Sequence, residues 1–379
     1  MKIVIAPDSF KECLSAHEVA ETIAAGIKSV LPHTECVCVP VADGGEGTMT
    51  TLVEATNGVI LSKQVRDPLG NIINANYGIL GDGRTAVIEM ATASGIELIR
   101  PEERNPMQTT TFGTGELVLA ALDHGVDKII VAIGGSATND GGVGMLQALG
   151  VQLLDSSGEQ VGFGGGALND IVSIDISTMD PRLTKTKFVA ACDVDNPLTG
   201  EKGASVIFGP QKGATQEMVL LLDRNMQHYA SCIRNFLHVD VENARGAGAA
   251  GGVGAALMAF LHADLRPGID IVLETVELEK HLSKASLVIT GEGKIDGQTL
   301  HGKTPVGVSK LAQEKNIKTI AMAGVVGDDI DQLKQAGIVA CFSIAQGPCE
   351  LREAIAKGKD MIFTTSKQVA GLLSLFVQK

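Results

Sequence analysis

Along this chain, short apolar runs alternate with longer stretches in which apolar residues return every three or four positions. Residues 2–6 (KIVIA) are predicted as a buried strand. Ser15-Ala16-His17-Glu18 has the spacing of a capping box, and Val19, Ile23, Ile27 and Val30 follow at helical intervals. A second strand over 36–41 and a helix over about 46–55 complete a β-α-β-α opening, which implies parallel strands. From about residue 64 the pattern changes. Turn sequences at 67–71 (DPLGN) and 80–84 (LGDGR) bound strands that read as an antiparallel meander, continued by 85–90. Helical character returns at 115–123. Strands are predicted at 128–133 and 188–191, with helices around 217–236 and 249–261. The C-terminal part resumes regular alternation: strands at 287–290, 319–323 and 340–343, and helices at 305–314, around 332–335 and from 350 onward.

A chain of 379 residues is too long for one ordinary core. The simplest assembly is an α/β protein of two domains. Residues 1–60 with 285–379 form a discontinuous parallel α/β domain, and 61–284 form an inserted mixed α/β domain. The net charge of −13, the absence of Trp and the presence of only two Tyr argue against a nucleic-acid partner, and the charge argues against an anionic membrane surface. No apolar run reaches the roughly 18 residues of a membrane span, and the apolar start is too short for a signal peptide. The seven Cys and eight His show no metal-ligand spacing, and the thiols read as buried small residues in a reducing cytoplasm. The 45 Gly cluster in loops, as a protein that wraps backbone around a ligand requires.

The chemistry is expected at the carboxyl ends of the strands, where open α/β sheets bind ligands. Two acidic glycine loops stand there: Asp43-Gly44-Gly45-Glu46-Gly47, and Gly291-Glu292-Gly293-Lys294-Ile295-Asp296-Gly297. A third loop, from Gly134 and Gly135 through Ser136, Thr138, Asn139 and Asp140 to Gly142, offers backbone N–H groups and hydroxyls to a phosphate. Asp193, Asp195 and Asn196 suit a Mg²⁺ ion or a general base, and an Asx turn before Pro197 is the structural alternative. Asp8-Ser9-Phe10-Lys11 ends the first strand, and 209–214 is a further glycine loop with one cation. Two motif matches read as coincidental. Residues 297–304 fit a Walker A expression, but they do not follow directly on a strand. Lys303 beside a helix N-terminus, with Thr304 as cap and Pro305 first in the helix, still makes a workable phosphate site. Residues 246–251 fit a dinucleotide fingerprint without a proper preceding strand, and read better as a close-packed helix start.

Taken together, APDSFK at 6–11, VADGGEGT at 41–48, GGSATNDGG at 134–142, FGPQKGA at 208–214, GAGAAGG at 246–252 and TGEGKID at 290–296 resemble, in order and over nearly the whole chain, the bacterial type-1 glycerate kinase family. The resemblance implies transfer of the ATP γ-phosphoryl group to D-glycerate with Mg²⁺, giving 2-phosphoglycerate, with 3-phosphoglycerate as the alternative. It also implies two α/β domains, one of them flavodoxin-like and discontinuous, with the site between them. On that footing Asp193 is expected as the base, with Asp296 second and Asp8 and Lys11 assisting. Lys11 or Arg66 would hold the glycerate carboxylate, and Asp43 and Ser136 are expected as further substrate-binding residues. Gly134, Gly135, Ser136, Thr138, Asn139, Gly291, Glu292, Gly293 and Lys303 would hold the nucleotide, and Asp193, Asp296 and Asp140 the metal. The rival readings are an NAD-dependent oxidoreductase, resting on 246–251, and a non-catalytic nucleotide-binding regulator.

Overall fold

The computed structural model describes residues 1–300 and 303–376, so His301 and Gly302 of the Walker-like stretch lie outside the described residues. The chain divides into two compact units. One consists of Met1–Asp43, Thr50–Thr56 and Ile269–Lys379, the other of Gly44–Met49 and Asn57–Gly268.

The first unit is built on five parallel strands in the order Glu35–Cys38, Lys2–Pro7, Leu287–Ile295, Thr319–Val326, Ile338–Ser343. Counted along this unit, the order is 2-1-3-4-5, the flavodoxin-like doubly wound arrangement. The uninterrupted apolar run at Ile3, Val4, Ile5 and Ala6 has its cause here, because a central parallel strand is buried on both faces. Ser15 and Glu18 form the expected capping box at the start of the helix Ala16–Val30, with Glu18 N donating to Ser15 Oγ and Ser15 N to Glu18 Oε2. That helix packs tightly on Leu351–Ser374, since a Cβ at Gly26 would come within 2.5 Å of the Ser366 Cβ. One element departs from expectation. The strand expected to end near residue 290 runs on to Ile295, paired with Thr319–Val326 as far as Ile295 opposite Val326. Gly291 and Gly293 therefore belong to a strand and not to a phosphate-wrapping loop. Gly291 is needed for sheet packing, where a Cβ would lie 2.2 Å from the Met322 carbonyl oxygen.

The second unit carries six strands in the order Val59–Arg66, Ile72–Ile79, Thr85–Glu89, Lys128–Ala132, Lys187–Ala191, Asp264–Arg266. The meander is antiparallel as expected. Thr85–Glu89 joins it to a parallel half, being antiparallel to Ile72–Ile79 and parallel to Lys128–Ala132. Strand Asp264–Arg266 and the small ladder of Gln152–Leu154 with Ser173–Asp175 have only three residues per strand, too few to carry a period in sequence. One apolar core on this sheet includes Ile88, Leu117, Ile129, Met145, Tyr229 and Leu257. No helix among the described residues is long and apolar enough to cross a membrane.

Candidate active site

In the second unit a cavity of about 360 Å³ opens at the carboxyl ends of Lys128–Ala132 and Lys187–Ala191. Gly44, Gly134, Gly135, Ser136, Asp193 and Lys212 are among the residues that line it. The strand Lys128–Ala132 breaks into a turn in which Gly135 takes φ +73°. That turn leaves the N–H groups of Gly134, Gly135 and Ser136 without a protein acceptor among the described residues. Consecutive free N–H groups in such a turn form an anion-binding concavity. Gly44 is positioned by backbone contact, since a Cβ there would lie 2.3 Å from Gly268 Cα.

Lys212 was legible only as the single cation of a glycine loop, and the structure gives it a larger part. It is 2% exposed, and its Nζ donates to Ser136 Oγ (2.7 Å) and to the Thr138 carbonyl (2.6 Å). Burial pulls its pKa down to about 7, against the opposing charge of Asp140. Asp193 lines the same cavity and accepts a hydrogen bond from Gly268 N (2.9 Å).

Three residues of the expected phosphate and metal loop are turned to structural work. Asp140, expected as a metal ligand, is fully buried and accepts hydrogen bonds from Thr111 N and Oγ1, Gly142 N and Gly144 N. Its carboxylate is spent on shaping the loop, and burial raises its pKa. Asn139 is buried and donates to Ser205 Oγ, Thr138 is buried, and neither is among the residues that line the cavity. Arg66, expected to hold a carboxylate, is bound to Glu116 at 2.6 Å and stacked over Phe112; it does not line the cavity. The glycines of 246–251 likewise serve packing. A Cβ at Gly248 would meet the Pro197 carbonyl at 2.1 Å, and one at Gly251 (φ +68°) the Thr138 carbonyl at 2.0 Å. No strand leads into them, and Ala250, Gly251 and Gly252 break the helix Ala249–Leu261 near its start. That geometry is not a dinucleotide fold.

In the first unit the switch point of the sheet falls between Lys2–Pro7 and Leu287–Ile295, where sequence order reverses. Asp8 and Glu292 meet there. Asp8 Oδ2 accepts from Thr304 Oγ1 (2.6 Å), and Asp8 Oδ1 from Ser9 N. Thr304 therefore binds Asp8 rather than capping its helix, where Lys303 takes the N-cap position. Burial pushes Asp8 up to about 6, with the charge of Asp43 adding to the rise and the Thr304 bond opposing it. Glu292 accepts from Thr299 Oγ1 (3.1 Å) and lies 3.4 Å from Lys303 Nζ, yet burial still raises it to about 7. Asp296 is paired with Lys294 at 2.9 Å. Lys11 is exposed in the turn after the first strand. Of the expected metal set, Asp296 belongs to one unit and Asp193 and Asp140 to the other. Among the described residues no group of three or more His, Cys, Asp or Glu is arranged to hold a metal ion.

Comparison with known proteins places these loops in context. The profile of the "Glycerate kinase family" matches residues 3–374. The chain is 53% identical over 375 residues to a glycerate kinase of Bacillus subtilis (strain 168), covering 99% of this chain and 98% of that one. It is equally identical, over the same coverage, to a glycerate 2-kinase of Escherichia coli (strain K12). A crystal structure provisionally identified as glycerate kinase 2 from Salmonella typhimurium LT2 superposes with a TM-score of 0.92 at 51% identity, covering 99% of this chain and 98% of the other.

Proposed function

The chain belongs to the glycerate kinase family, and we propose that it transfers the γ-phosphoryl group of ATP to D-glycerate, giving 2-phosphoglycerate and ADP. The observation that carries the phosphotransferase chemistry is the cavity of the second unit, where a glycine turn with free N–H groups, a buried lysine and a carboxylate line one space. Identity of 53% over 99% of the chain to a glycerate 2-kinase supports the choice of hydroxyl.

Phosphoryl transfer needs positioning and charge neutralisation more than covalent participation by the protein. The turn at Gly134, Gly135 and Ser136 receives phosphate oxygens through its N–H groups. Asp193 accepts the proton of the attacking hydroxyl. In the first unit, Glu292, Lys303 and the start of the helix Thr304–Glu314 contribute to nucleotide binding, and Asp8 contributes a carboxylate poised to change protonation near neutral pH. Lys11, exposed and cationic, is the residue left to meet the glycerate carboxylate.

Mg²⁺ is usually held by one or two carboxylates together with the substrate phosphates, so one carboxylate beside a phosphate-binding turn is enough for a metal that arrives with ATP. Of the expected set, Asp193 is the carboxylate beside the phosphate-binding turn, and it is the one that fits the ion. When bound, Mg²⁺ neutralises charge on the phosphates. The seven unpaired cysteines support a cytoplasmic location.

A coupled assay for ADP tests this reading. ADP release is expected to depend on D-glycerate, and ³¹P NMR is expected to show 2-phosphoglycerate as the product. A 3-phosphoglycerate signal would reassign the hydroxyl, and no glycerate-dependent ADP would leave a nucleotide-binding regulator in its place.

A further inference from the structure

We propose that Lys212 is the phosphoryl-binding cation of the second-unit cavity, and that the same ammonium holds the 134–138 segment in its binding shape. A lysine is almost never fully buried unless a counter-ion accompanies it. Both hydrogen-bond partners of Lys212, Ser136 Oγ and the Thr138 carbonyl, are neutral. Among the described residues Lys212 forms no ion pair; the charge of Asp140 acts on it without direct contact, and that carboxylate is occupied by Thr111, Gly142 and Gly144. An ammonium carries three N–H donors, and the two bonds to Ser136 and Thr138 leave one for a ligand.

The surroundings select the ligand. Lys212 lines the same cavity as Gly134, Gly135 and Ser136, whose N–H groups are unused. Three amides and one ammonium outnumber what the two oxygens of a carboxylate use well, whereas a tetrahedral phosphoryl group with several charged oxygens accepts from all of them. The lysine is also fixed in place. Lys212 N donates to the Gly209 carbonyl, and Gly213 takes φ +93° with no room for a Cβ, which would lie 2.3 Å from the Arg104 carbonyl. A cation placed in advance, with a lowered proton affinity that an incoming anion restores, suits a group whose charge shifts during transfer. The identity of the anion as a phosphoryl group of ATP rests on the phosphotransferase reading given above.

The test uses the full-length protein with Lys212→Met and Lys212→Arg, titrated calorimetrically with ATP and with D-glycerate, alongside melts with and without ATP. Lys212→Met is expected to weaken ATP binding about 10- to 100-fold and to abolish the rise in melting temperature that ATP gives the parent. Binding of D-glycerate is expected to change far less. Lys212→Arg, which keeps the charge, is expected to recover part of the ATP affinity. ATP affinity within twofold of the parent in Lys212→Met would overturn the proposal, as would equal losses for both ligands. If Lys212→Met does not melt cooperatively, Lys212→Arg decides alone. A merely structural lysine predicts that the bulkier guanidinium gives no ATP binding, and the proposal predicts that binding survives. Failure of the kinase reading would look different: the parent would bind ATP but release no ADP with D-glycerate.

Discussion

Asp193→Asn is expected to lower kcat by about 10²–10⁴-fold, the usual consequence of removing a general base, in a protein that folds as its parent does. Asp193 stands directly after the strand Lys187–Ala191 and lines the cavity beside the free N–H groups of Gly134 and Gly135. The substitution is nearly isosteric. The amide oxygen of Asn can still accept the hydrogen bond from Gly268 N, so the backbone there keeps its partner. What disappears is the charge and the capacity to take a proton. The measurement is kcat in the coupled ADP assay at saturating ATP and D-glycerate, with a thermal melt as the control for folding. Repeating the assay over a range of Mg²⁺ concentrations separates the two duties open to this carboxylate. Loss of a base leaves the rate low at every concentration, whereas loss of a metal partner is relieved as Mg²⁺ rises. A kcat within a few-fold of the parent would remove Asp193 from the chemistry.

Asp8→Asn is expected to make the protein more stable and less active. The folded-state pKa of Asp8 is raised from 3.8 to about 6, chiefly by burial. Between those two values the folded protein holds a proton that the unfolded chain has released. Stability therefore falls as pH rises through that window, and the full penalty of a buried carboxylate is present above about pH 6. Asparagine removes the penalty and keeps an oxygen for Thr304 Oγ1. The melting temperature should rise by a few degrees at pH 7.5, and the gain should vanish below about pH 4, where the carboxyl is neutral in both states. In the same variant kcat/KM should drop at least about tenfold, because the group that changes protonation near neutral pH is gone. A site that gives up stability for function has this signature. A variant both destabilised and fully active would show Asp8 to be an ordinary structural acid.

How much of this was legible in the sequence differs between the units. The strand at Lys2–Pro7, the capping box at Ser15 and Glu18 and the helix Leu351–Ser374 were readable because each is fixed by local periodicity or by contacts three residues apart. The meander was readable from its turns. The extension of Leu287–Ile295 was hidden, because glycines at 291 and 293 signal a loop locally, while at Gly291 the neighbouring strand leaves no room for a Cβ. The site divided in the same way. The turn at Gly134 and Gly135 and the carboxylate of Asp193 were found from glycine and acid placement after strands. The saturation of Asp140 was not, since its partner Thr111, which gives two of the hydrogen bonds, is brought to it only by tertiary packing. Arg66 presented an unassigned cation in sequence and proved to belong to Glu116. Lys212 was the converse: nothing in 209–214 announces that the lysine is buried, because its partners Ser136 and Thr138 lie far back in the chain.

The most direct check of the phosphate site is the amide resonances of Gly134, Gly135 and Ser136 in the full-length protein, followed while a non-hydrolysable ATP analogue with Mg²⁺ is added. Large downfield proton shifts at these three positions, saturating with the analogue, are the predicted result. If those resonances stay still while the analogue binds and perturbs other amides, the glycine turn does not receive the phosphates and the proposed chemistry is misplaced.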